Sequence, residues 1–332
     1  MRINPKPLVL VLMLLSMIGQ PDTASTAALV HPSGGSPRPS GTAGAELRSH
    51  ATSKLADAFA GSSDRLQLRE PALALGTIDT ELLMEIEDCL RDRAGMYGVA
   101  IRNLNTGQMA LINADQPFLA ASTYKLLVMY LAYQQMEEGS LSAEEELTIA
   151  DEDVWEDEPN VSLYPGDSVT MADALEAMIT VSNNAAAYAL TRRLGGPDSI
   201  EAAAEDLGMY QTLIEEGYYW TTPLDMLTFF EKLAGGQLVS DEASRSMMGL
   251  LLRQKLNDFI PALLPGEASI AHKTGDLPGV RNDVGIVYGP AGRYVIGVFS
   301  LWADDEEAVN AIAEVSLKTS DYFLAEQLPG SS

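Results

Sequence analysis

The chain has 332 residues, of which 46% are hydrophobic and 20% are charged. This balance suits a globular protein with one large domain or two ordinary ones. The formal net charge is -26, from 21 basic and 47 acidic residues. Such a charge argues against nucleic acid and anionic membrane surfaces as partners, because both bind to basic patches.

The N-terminus is typical of an export signal. Arg2 and Lys6 precede a nearly unbroken apolar run over residues 8–18, which is short for a membrane span but has the length of a signal-peptide core. We expect residues 1–24 to be a signal peptide and the mature protein to be secreted or held in the cell envelope. An uncleaved membrane anchor is the alternative.

Residues 25–76 are rich in Ala, Ser, Thr, Gly and Pro and lack periodic apolar positions, which indicates a flexible linker. An ordered domain is expected over residues 77–328, and we expect it to be a monomer. Cys89 is the single cysteine of the chain, so no intramolecular disulfide can form. Its place among the apolar positions of a predicted helix favours a core residue.

The ordered domain begins with mixed structure. Asp79 can cap a helix that continues to about Arg93, and strands are predicted at 97–104 and 108–113. Beyond Ala120 the pattern is helical for about 140 residues. The later elements predicted are helices at 122–138, 171–180, 185–194, 197–207, 223–233 and 241–252, strands at 268–273, 284–288 and 294–301, and a helix at 304–324.

This order predicts an α/β (α+β) fold with one antiparallel sheet built from both ends of the domain. The sheet would carry flanking helices, and the all-helical middle would form an inserted lobe. A reactive site would then lie in the crevice between the sheet and the helical lobe.

Ser122 and Lys125 form the first candidate pair. Ser122 lies at the predicted start of an apolar helix, where backbone N–H groups favour a developing negative charge. Lys125 lies three residues later on the same face, and apolar surroundings would favour its neutral form as a base. The alternative is that Ser122 only caps the helix and Lys125 extends to solvent.

The histidine count favours lysine as the base. Only His31, His50 and His272 are present, and the first two lie within the predicted linker. A Ser-His-Asp triad would therefore depend on His272 alone, and one cysteine leaves little material for a zinc site. We expect no metal and no cofactor.

A second candidate set is Ser182, Asn183 and Asn184, between two predicted helices. These short polar side chains can be helix caps. Alternatively, Ser182 can pass a proton to a leaving nitrogen and an Asn amide can bind a substrate carbonyl.

The third set is Lys273, Thr274 and Gly275, at the end of a predicted strand. An ammonium and a hydroxyl there suit a substrate carboxylate, and glycine lets the backbone approach a ligand. A plain turn at the strand end is the alternative.

Together the three sets resemble the S-x-x-K, S-D-N and K-T-G motifs of the penicillin-recognising serine enzymes, most closely class A β-lactamases. The resemblance covers about residues 77–328 in motif order, context and spacing. It implies a β-lactamase/transpeptidase-like fold. It also implies Ser122 as the acylated nucleophile, Lys125 as its base and Ser182 as a proton relay.

The same resemblance assigns substrate contacts. Asn184 would bind the substrate amide, and Lys273 and Thr274 would hold its carboxylate. The backbone N–H groups of Ser122 and Asp276 would form the oxyanion hole. Arg281, on the following strand, is a further candidate partner for the carboxylate.

Two departures from the family pattern stand out. Asn183 replaces the middle aspartate of S-D-N. The family's Glu-x-x-Leu-Asn loop, whose glutamate activates the deacylating water, is absent, and only the short segment 211–220 occupies the interval. Glu215 and Glu216, its only acids, suit a solvated turn. The side chain of Asp276 would also place a carboxylate near the anion pocket.

The sequence therefore predicts an exported serine hydrolase that opens β-lactams through Ser122, with deacylation slowed by the missing glutamate. One alternative is a D-alanyl-peptidase, esterase or penicillin-binding protein of the same fold, acting on a cell-envelope peptide. An alternative of another class is a non-catalytic binding module. Contact with a membrane is expected only through an uncleaved N-terminal segment.

Overall fold

The computed structural model of the protein describes residues 76–154, 162–215 and 217–327. The signal peptide and nearly all of the predicted linker lie outside these residues. The α-helices α1 to α8 are Thr80–Leu90, Lys125–Glu137, Met171–Thr180, Asn184–Arg193, Pro197–Asp206, Pro223–Ala234, Asp241–Leu251 and Asp305–Glu326. Two short 3-10 helices cover Ala121–Tyr124 and Asp151–Asp153.

The strands β1 to β11 are Thr77–Ile78, Met96–Asn103, Gln108–Ile112, Phe118–Leu119, Glu146–Thr148, Ser168–Thr170, Leu213–Glu215, Tyr218–Thr221, Ser269–Leu277, Val280–Gly289 and Gly292–Leu301. The main sheet has six strands in the order β1-β3-β2-β11-β10-β9. Its pairs are antiparallel except for β1 with β3. Strands from both ends of the domain thus meet in one sheet, as the sequence predicts.

Alternation along the strands produces a core on each face of the sheet. Val99 and Ile101 of β2 pack in a cluster with Ile86 of α1 and Val315 of α8. Ala100, between them in the strand, belongs to the larger cluster that extends through α2 to α7. Successive strand residues point to opposite faces of the sheet. Strand β2 therefore packs against α1 and α8 on one face and against the helical lobe on the other.

The predicted helices are confirmed with small changes at their ends. Asp79 caps α1 by accepting hydrogen bonds from the backbone of Glu81 and Leu82, but α1 ends at Leu90 rather than Arg93. The single helix predicted over 122–138 is divided. It begins with the 3-10 turn Ala121–Tyr124 and continues as α2.

The expectation of an all-helical lobe was wrong in part. Strands β5 and β6 form a two-stranded ribbon, and β4, β8 and β7 form a three-stranded sheet. Strands of two to four residues are too short to show a clear two-residue period. The segment 211–220 contains most of the β7–β8 hairpin, in which Glu215 ends β7 as an exposed residue. Glu216 lies outside the described residues.

Strand β9 is longer than predicted. It continues through Leu277, which pairs with Val280 of β10. The alternative of a turn at Lys273, Thr274 and Gly275 was therefore wrong, since all three residues lie inside the strand. Among the described residues, no helix has the length and apolar character needed to cross a membrane.

Candidate active site

The candidate site begins at the turn that carries Ser122. The backbone N–H of Lys125 donates to the carbonyl of Ser122, which closes a 3-10 turn. Side chains three residues apart lie one above the other in a 3-10 helix. A 3-10 turn, rather than the predicted α-helical turn, thus places Ser122 and Lys125 on one face.

The turn is held in place by its neighbours. Asn282 of β10 is fully buried and donates from Nδ2 to the carbonyls of Leu119 at 2.8 Å and Ala120 at 3.3 Å. Thr123 donates from Oγ1 to the Ala120 carbonyl at 2.7 Å. Ala121 has a φ of 45°, a left-handed conformation that costs free energy in a residue other than glycine and is common at active sites.

Lys125 is fully buried and its amine meets the second motif. Nζ donates to the Ser182 carbonyl at 2.7 Å and to Asn184 Oδ1 at 2.5 Å, and it lies 3.2 Å from Ser182 Oγ. The carbonyl and amide oxygens can only accept hydrogen bonds, whereas the Ser182 hydroxyl can donate or accept. The alternative of a lysine that extends to solvent is therefore wrong.

The second motif combines a helix cap with site residues. Asn183 is the N-cap of α4, with its side chain accepting from the Ala186 N–H at 2.8 Å, and its Nδ2 donates to Ser162 Oγ at 2.9 Å. Ser182, just before it, has a φ of 58°. Both interpretations of this motif therefore apply, because Asn183 caps the helix while Ser182 and Asn184 face Lys125.

The amine of Lys273, from strand β9 of the main sheet, also contacts the Ser182 hydroxyl. Its Nζ donates to Ser182 Oγ at 3.0 Å and to the Thr274 carbonyl at 2.8 Å. Lys273 is fully buried, and this burial lowers its pKa from 10.5 to about 7, against the opposing effect of the Asp283 carboxylate. Ser182 Oγ thus lies within hydrogen-bond distance of two lysine amines.

Gly275 brings β9 against the Ser122 turn. A Cβ at this position would lie 2.8 Å from the Ala120 carbonyl oxygen and 3.2 Å from Ala121 Cβ. The strand can therefore approach the turn this closely only with glycine. Asp276 follows directly, so its backbone N–H is adjacent to the turn that carries Ser122. Thr274, on the other side of Gly275, is buried.

Asp276 and Arg281 face each other across β9 and β10. Arg281 Nη1 lies 2.6 Å from Asp276 Oδ1, and Nη2 lies 3.0 Å from Asp305 Oδ2. Nη1 also donates to the carbonyls of Leu277 and Val280. Two carboxylates therefore share the single positive charge of Arg281. The exposed carboxylate of Asp276 is itself held by this guanidinium.

The β7–β8 hairpin packs beside the Ser122 turn. Phe118 and Leu119 of β4 pair with β8, and the Ala120 N–H donates to the Tyr219 carbonyl at 2.8 Å. The Tyr219 ring stacks on Tyr124, with centroids 4.1 Å apart and planes 3° from parallel. An aromatic pair thus lies where the hairpin meets the nucleophile turn.

A buried carboxylate holds the base of this hairpin. Asp225 Oδ2 accepts from the Gln211 N–H at 2.9 Å and from Thr212 Oγ1 at 2.8 Å, and Thr212 Oγ1 also bonds to Thr221 Oγ1. Burial raises the pKa of Asp225 to about 6, against the lowering effect of these hydrogen bonds. The hairpin is therefore anchored to the first turn of α6.

Sequence reasoning missed a buried pair behind β9. His272 Nδ1 lies 2.9 Å from Asp283 Oδ1, and His272 Nε2 lies 3.1 Å from Asn257 Oδ1. His272 and Lys273 are consecutive in the strand, so their side chains point to opposite faces of the sheet. The histidine considered for a triad is thus bound to Asp283 and Asn257. Consecutive polar residues inside a strand, Asn282 and Asp283, were the available signal.

Within the described parts of the chain, no group of three or more His, Cys, Asp or Glu side chains is arranged to hold a metal ion.

Comparisons with known proteins identify the family of this chain. A family model described as the beta-lactamase enzyme family matches residues 81–323. Beta-lactamase VEB-1 from Pseudomonas aeruginosa is 25% identical over 276 residues, which cover 73% of this chain and 90% of that protein.

Solved structures share the fold. PBP-A is 28% identical, with a TM-score of 0.71, over 76% of this chain and 98% of PBP-A. A variant of PBP-A with the same identity and TM-score was solved as an acyl-enzyme complex with penicillin G. An ancestral class A β-lactamase is similar in fold, with a TM-score of 0.68 over 73% of this chain and 99% of that chain. This chain therefore belongs to the β-lactamase enzyme family and has the class A fold of the penicillin-recognising serine hydrolases.

Proposed function

We propose that this protein is an exported serine hydrolase that opens β-lactams by forming an acyl-enzyme on Ser122. The observation that carries the proposal is the position of Ser182 Oγ, 3.2 Å from Lys125 Nζ and 3.0 Å from Lys273 Nζ. A helix cap does not require two fully buried amines around one hydroxyl. Burying an amine is unfavourable, so its presence here suits chemistry better than stability.

Acylation follows from these contacts. Ser122 Oγ attacks the lactam carbonyl carbon while neutral Lys125 takes the hydroxyl proton. The ring C–N bond then breaks, its electron pair goes to nitrogen, and Ser182 donates its proton to that nitrogen. Lys125 returns the first proton to Ser182 Oγ, which restores the neutral amine. The backbone N–H groups of Ser122 and Asp276 would stabilise the developing oxyanion.

Lys273 and Thr274 would hold the substrate carboxylate. A pKa near 7 leaves Lys273 about half protonated at neutral pH, and an incoming carboxylate would favour its charged form. Asn184 would bind the substrate amide beside Lys125. We assign Arg281 to Asp276 and Asp305, its ion-pair partners, and the same pairing reduces the repulsion of a carboxylated substrate by Asp276.

The hairpin supports slow deacylation. The stacked rings of Tyr124 and Tyr219 lie beside the nucleophile turn, whereas Glu215 is exposed at the tip of β7. A tyrosine with a pKa raised by burial, as at Tyr219, is a poor general base near neutral pH. We infer that water attacks the ester slowly, with Lys125 as the remaining candidate base.

A penicillin-binding protein or D-alanyl-peptidase is the second candidate. It is favoured by the similarity to PBP-A, whose variant holds penicillin G as an acyl-enzyme. The same acylation groups would then act on a cell-envelope peptide. A non-catalytic binding module fits less well, because it would not need Lys125 and Lys273 to be buried around Ser182.

Intact mass measurement of the mature protein after addition of a penicillin tests these alternatives. A persistent adduct indicates a penicillin-binding protein, and a transient adduct with hydrolysed drug indicates a β-lactamase. Ser122→Ala is the matched control and should form no adduct. Absence of any adduct on the native protein, with the drug intact, would exclude the β-lactam proposal. N-terminal sequencing of the exported protein tests signal cleavage.

A further inference from the structure

The main sheet contains a buried histidine–aspartate pair that acylation does not use directly. His272 of β9 and Asp283 of β10 are 1% and 0% exposed. His272 Nδ1 lies 2.9 Å and 3.0 Å from the two Asp283 oxygens. A buried carboxylate costs free energy unless it is paired and hydrogen-bonded. Its presence directly behind the strand of Lys273 therefore needs an explanation.

The pair joins three parts of the chain. Asp283 Oδ2 accepts from the Ile260 N–H at 3.0 Å, and His272 Nε2 lies 3.1 Å from Asn257 Oδ1. Both of these partners come from the segment after α7. A Cβ on Gly285 would lie 2.5 Å from the His272 Cβ and 2.4 Å from the Ala271 carbonyl oxygen. Glycine at this position lets β10 approach His272.

Strand register sets the relation to Lys273. Asp283 is directly opposite Thr274, and Val284 is opposite Lys273. Asp283 therefore reaches diagonally to His272, while Lys273 projects from the other face of the same strand. The carboxylate and the amine therefore lie on opposite faces of the same pair of strands. A negative charge at Asp283 favours the protonated amine of Lys273.

We propose that the His272–Asp283 pair is a positioning element of the acylation site, which fixes strand β9 and supplies the counter-charge for Lys273. The imidazole and the Ile260 N–H hold the carboxylate in place, and its negative charge favours the protonated form of Lys273. The pair acts through Lys273 and touches no reacting atom.

The other charged groups described near Lys273 do not supply the negative charge that Asp283 supplies. Lys125, which shares Ser182 Oγ with it, carries no negative charge in either protonation state and so cannot stabilise the ammonium of Lys273. Asp276 is further along β9 and is paired with Arg281. Helix α7 also packs against β9, but its buried residues are Ala, Ser, Met and Leu. Asp283 is the carboxylate whose charge acts on Lys273.

The test is an NMR titration of protein labelled with 13C at the lysine Cε, with the Lys273 signal assigned by its loss in Lys273→Arg. In Asp283→Asn the Lys273 midpoint should fall by about one pH unit. The upper limit of the acylation pH profile should fall with it, because the protonated amine binds the substrate carboxylate. Asp153→Asn is the matched control, since Asp153 is also buried but pairs with Arg192.

His272→Asn separates charge from packing. It removes the imidazole but keeps the Asp283 carboxylate, so the Lys273 midpoint should stay or rise. A fall of the same size in both variants, or no fall in Asp283→Asn, would overturn the proposal. Should Asp283→Asn not fold, a fall in His272→Asn alone would also overturn it. The inference rests on the proposed function only for the role of Lys273, and the titration remains readable if no β-lactam reacts.

Discussion

Lys273 and Ser182 are 91 positions apart in the chain, and the amine of one donates to the hydroxyl of the other at 3.0 Å. Lys273 belongs to the edge strand of the main sheet, and Ser182 lies just before the N-cap of α4 in the helical lobe. This hydrogen bond joins the two parts of the fold at the candidate site. A change at either residue should therefore affect both chemistry and stability.

Lys273→Met should make the protein more stable and less reactive. Because burial lowers the pKa of Lys273 to about 7, the unfolded chain binds more protons than the folded protein between about pH 7 and pH 10.5. The free energy of unfolding of the native protein should therefore rise with pH across that range. Below about pH 7 the full free-energy cost of burying the lysine is present. We expect Lys273→Met to raise the free energy of unfolding at pH 6 by about 2 kcal/mol, after loss of its hydrogen bonds.

Urea denaturation at pH 6 and pH 10 measures this effect. The difference between Lys273→Met and the native protein should shrink toward pH 10, where the folded lysine is neutral and the unfolded one, with a pKa of 10.5, begins to lose its proton. A difference that is constant with pH would contradict the lowered pKa. Acylation by a carboxylated penicillin should fall in the variant at both values.

Lys125→Met should remove acylation more completely. The amine of Lys125 is the group placed to take the Ser122 proton and to exchange it with Ser182 Oγ. Loss of a general base typically lowers a rate by about 10²–10⁴-fold. Stopped-flow measurement of acylation gives the rate, and Lys232→Met, at a lysine in the last turn of α6, is the control. An acylation rate within about twofold of native would mean that another group takes the proton.

Much of the fold could be predicted because its signals are local. The Asp79 cap of α1 and the neighbouring strands β2 and β3 each depend on a few adjacent residues. The chain order of strands and helices then implied a sheet made from both ends of the domain. The short strands β4 to β8 were not predicted, because runs of two to four residues show no clear two-residue period. Strand β4 also depends on a partner distant in sequence, with Phe118 opposite Thr221.

The site was predictable as a set of motifs but not as a geometry. The sequence indicated Ser122, Lys125 and Lys273, yet it did not show that two amines would share Ser182 Oγ. That arrangement depends on the left-handed backbone conformation of Ser182. It also depends on the close approach of β9 to the Ser122 turn at Gly275. Asp283 went unnoticed because its partner, His272, is brought to it only by strand register.

Gly275→Ala should disturb the nucleophile turn. The added Cβ would lie 2.8 Å from the Ala120 carbonyl oxygen, so β9 or the turn must move. We expect the free energy of unfolding to fall by about 1–3 kcal/mol. Acylation should slow by roughly tenfold or more, because Ser122 would be misplaced. Gly289→Ala is the control, because its Cβ would meet Ala268 at an ordinary 3.4 Å. Equal effects of the two substitutions on acylation would argue against a role for the close approach.

Asp225→Asn should change how stability depends on pH. The pKa of Asp225 is raised to about 6 in the folded protein, above the usual 3.8, so the folded state binds more protons between these values. The stabilising contribution of Asp225 to the free energy of unfolding is therefore fully present below about pH 4 and is lost as the pH rises through 6. Both described hydrogen bonds go to Oδ2, which an asparagine oxygen can replace.

Thermal or urea unfolding at pH 4 and pH 7 tests this prediction. The stability of Asp225→Asn relative to the native protein should improve by about 2–3 kcal/mol between the two values. All other titrating groups are shared, so they cancel in the difference. A relative stability that does not change with pH would show that Asp225 is ionised normally in the folded protein.

Tyr219→Ala should shorten the life of the acyl-enzyme. The ring of Tyr219 covers Tyr124 in the nucleophile turn at a centroid distance of 4.1 Å, and such a stack is worth about 0.5–1.5 kcal/mol. Removing it opens space for water beside the ester, so we expect several-fold faster loss of a penicillin adduct in a mass-spectrometric time course. Tyr219→Phe keeps the stack and removes the hydroxyl, so its adduct should persist as in the native protein. An equally fast loss of the adduct in Tyr219→Phe would assign the effect to the Tyr219 hydroxyl instead of the stacked ring. An unchanged lifetime in Tyr219→Ala would mean that the hairpin does not control access of water.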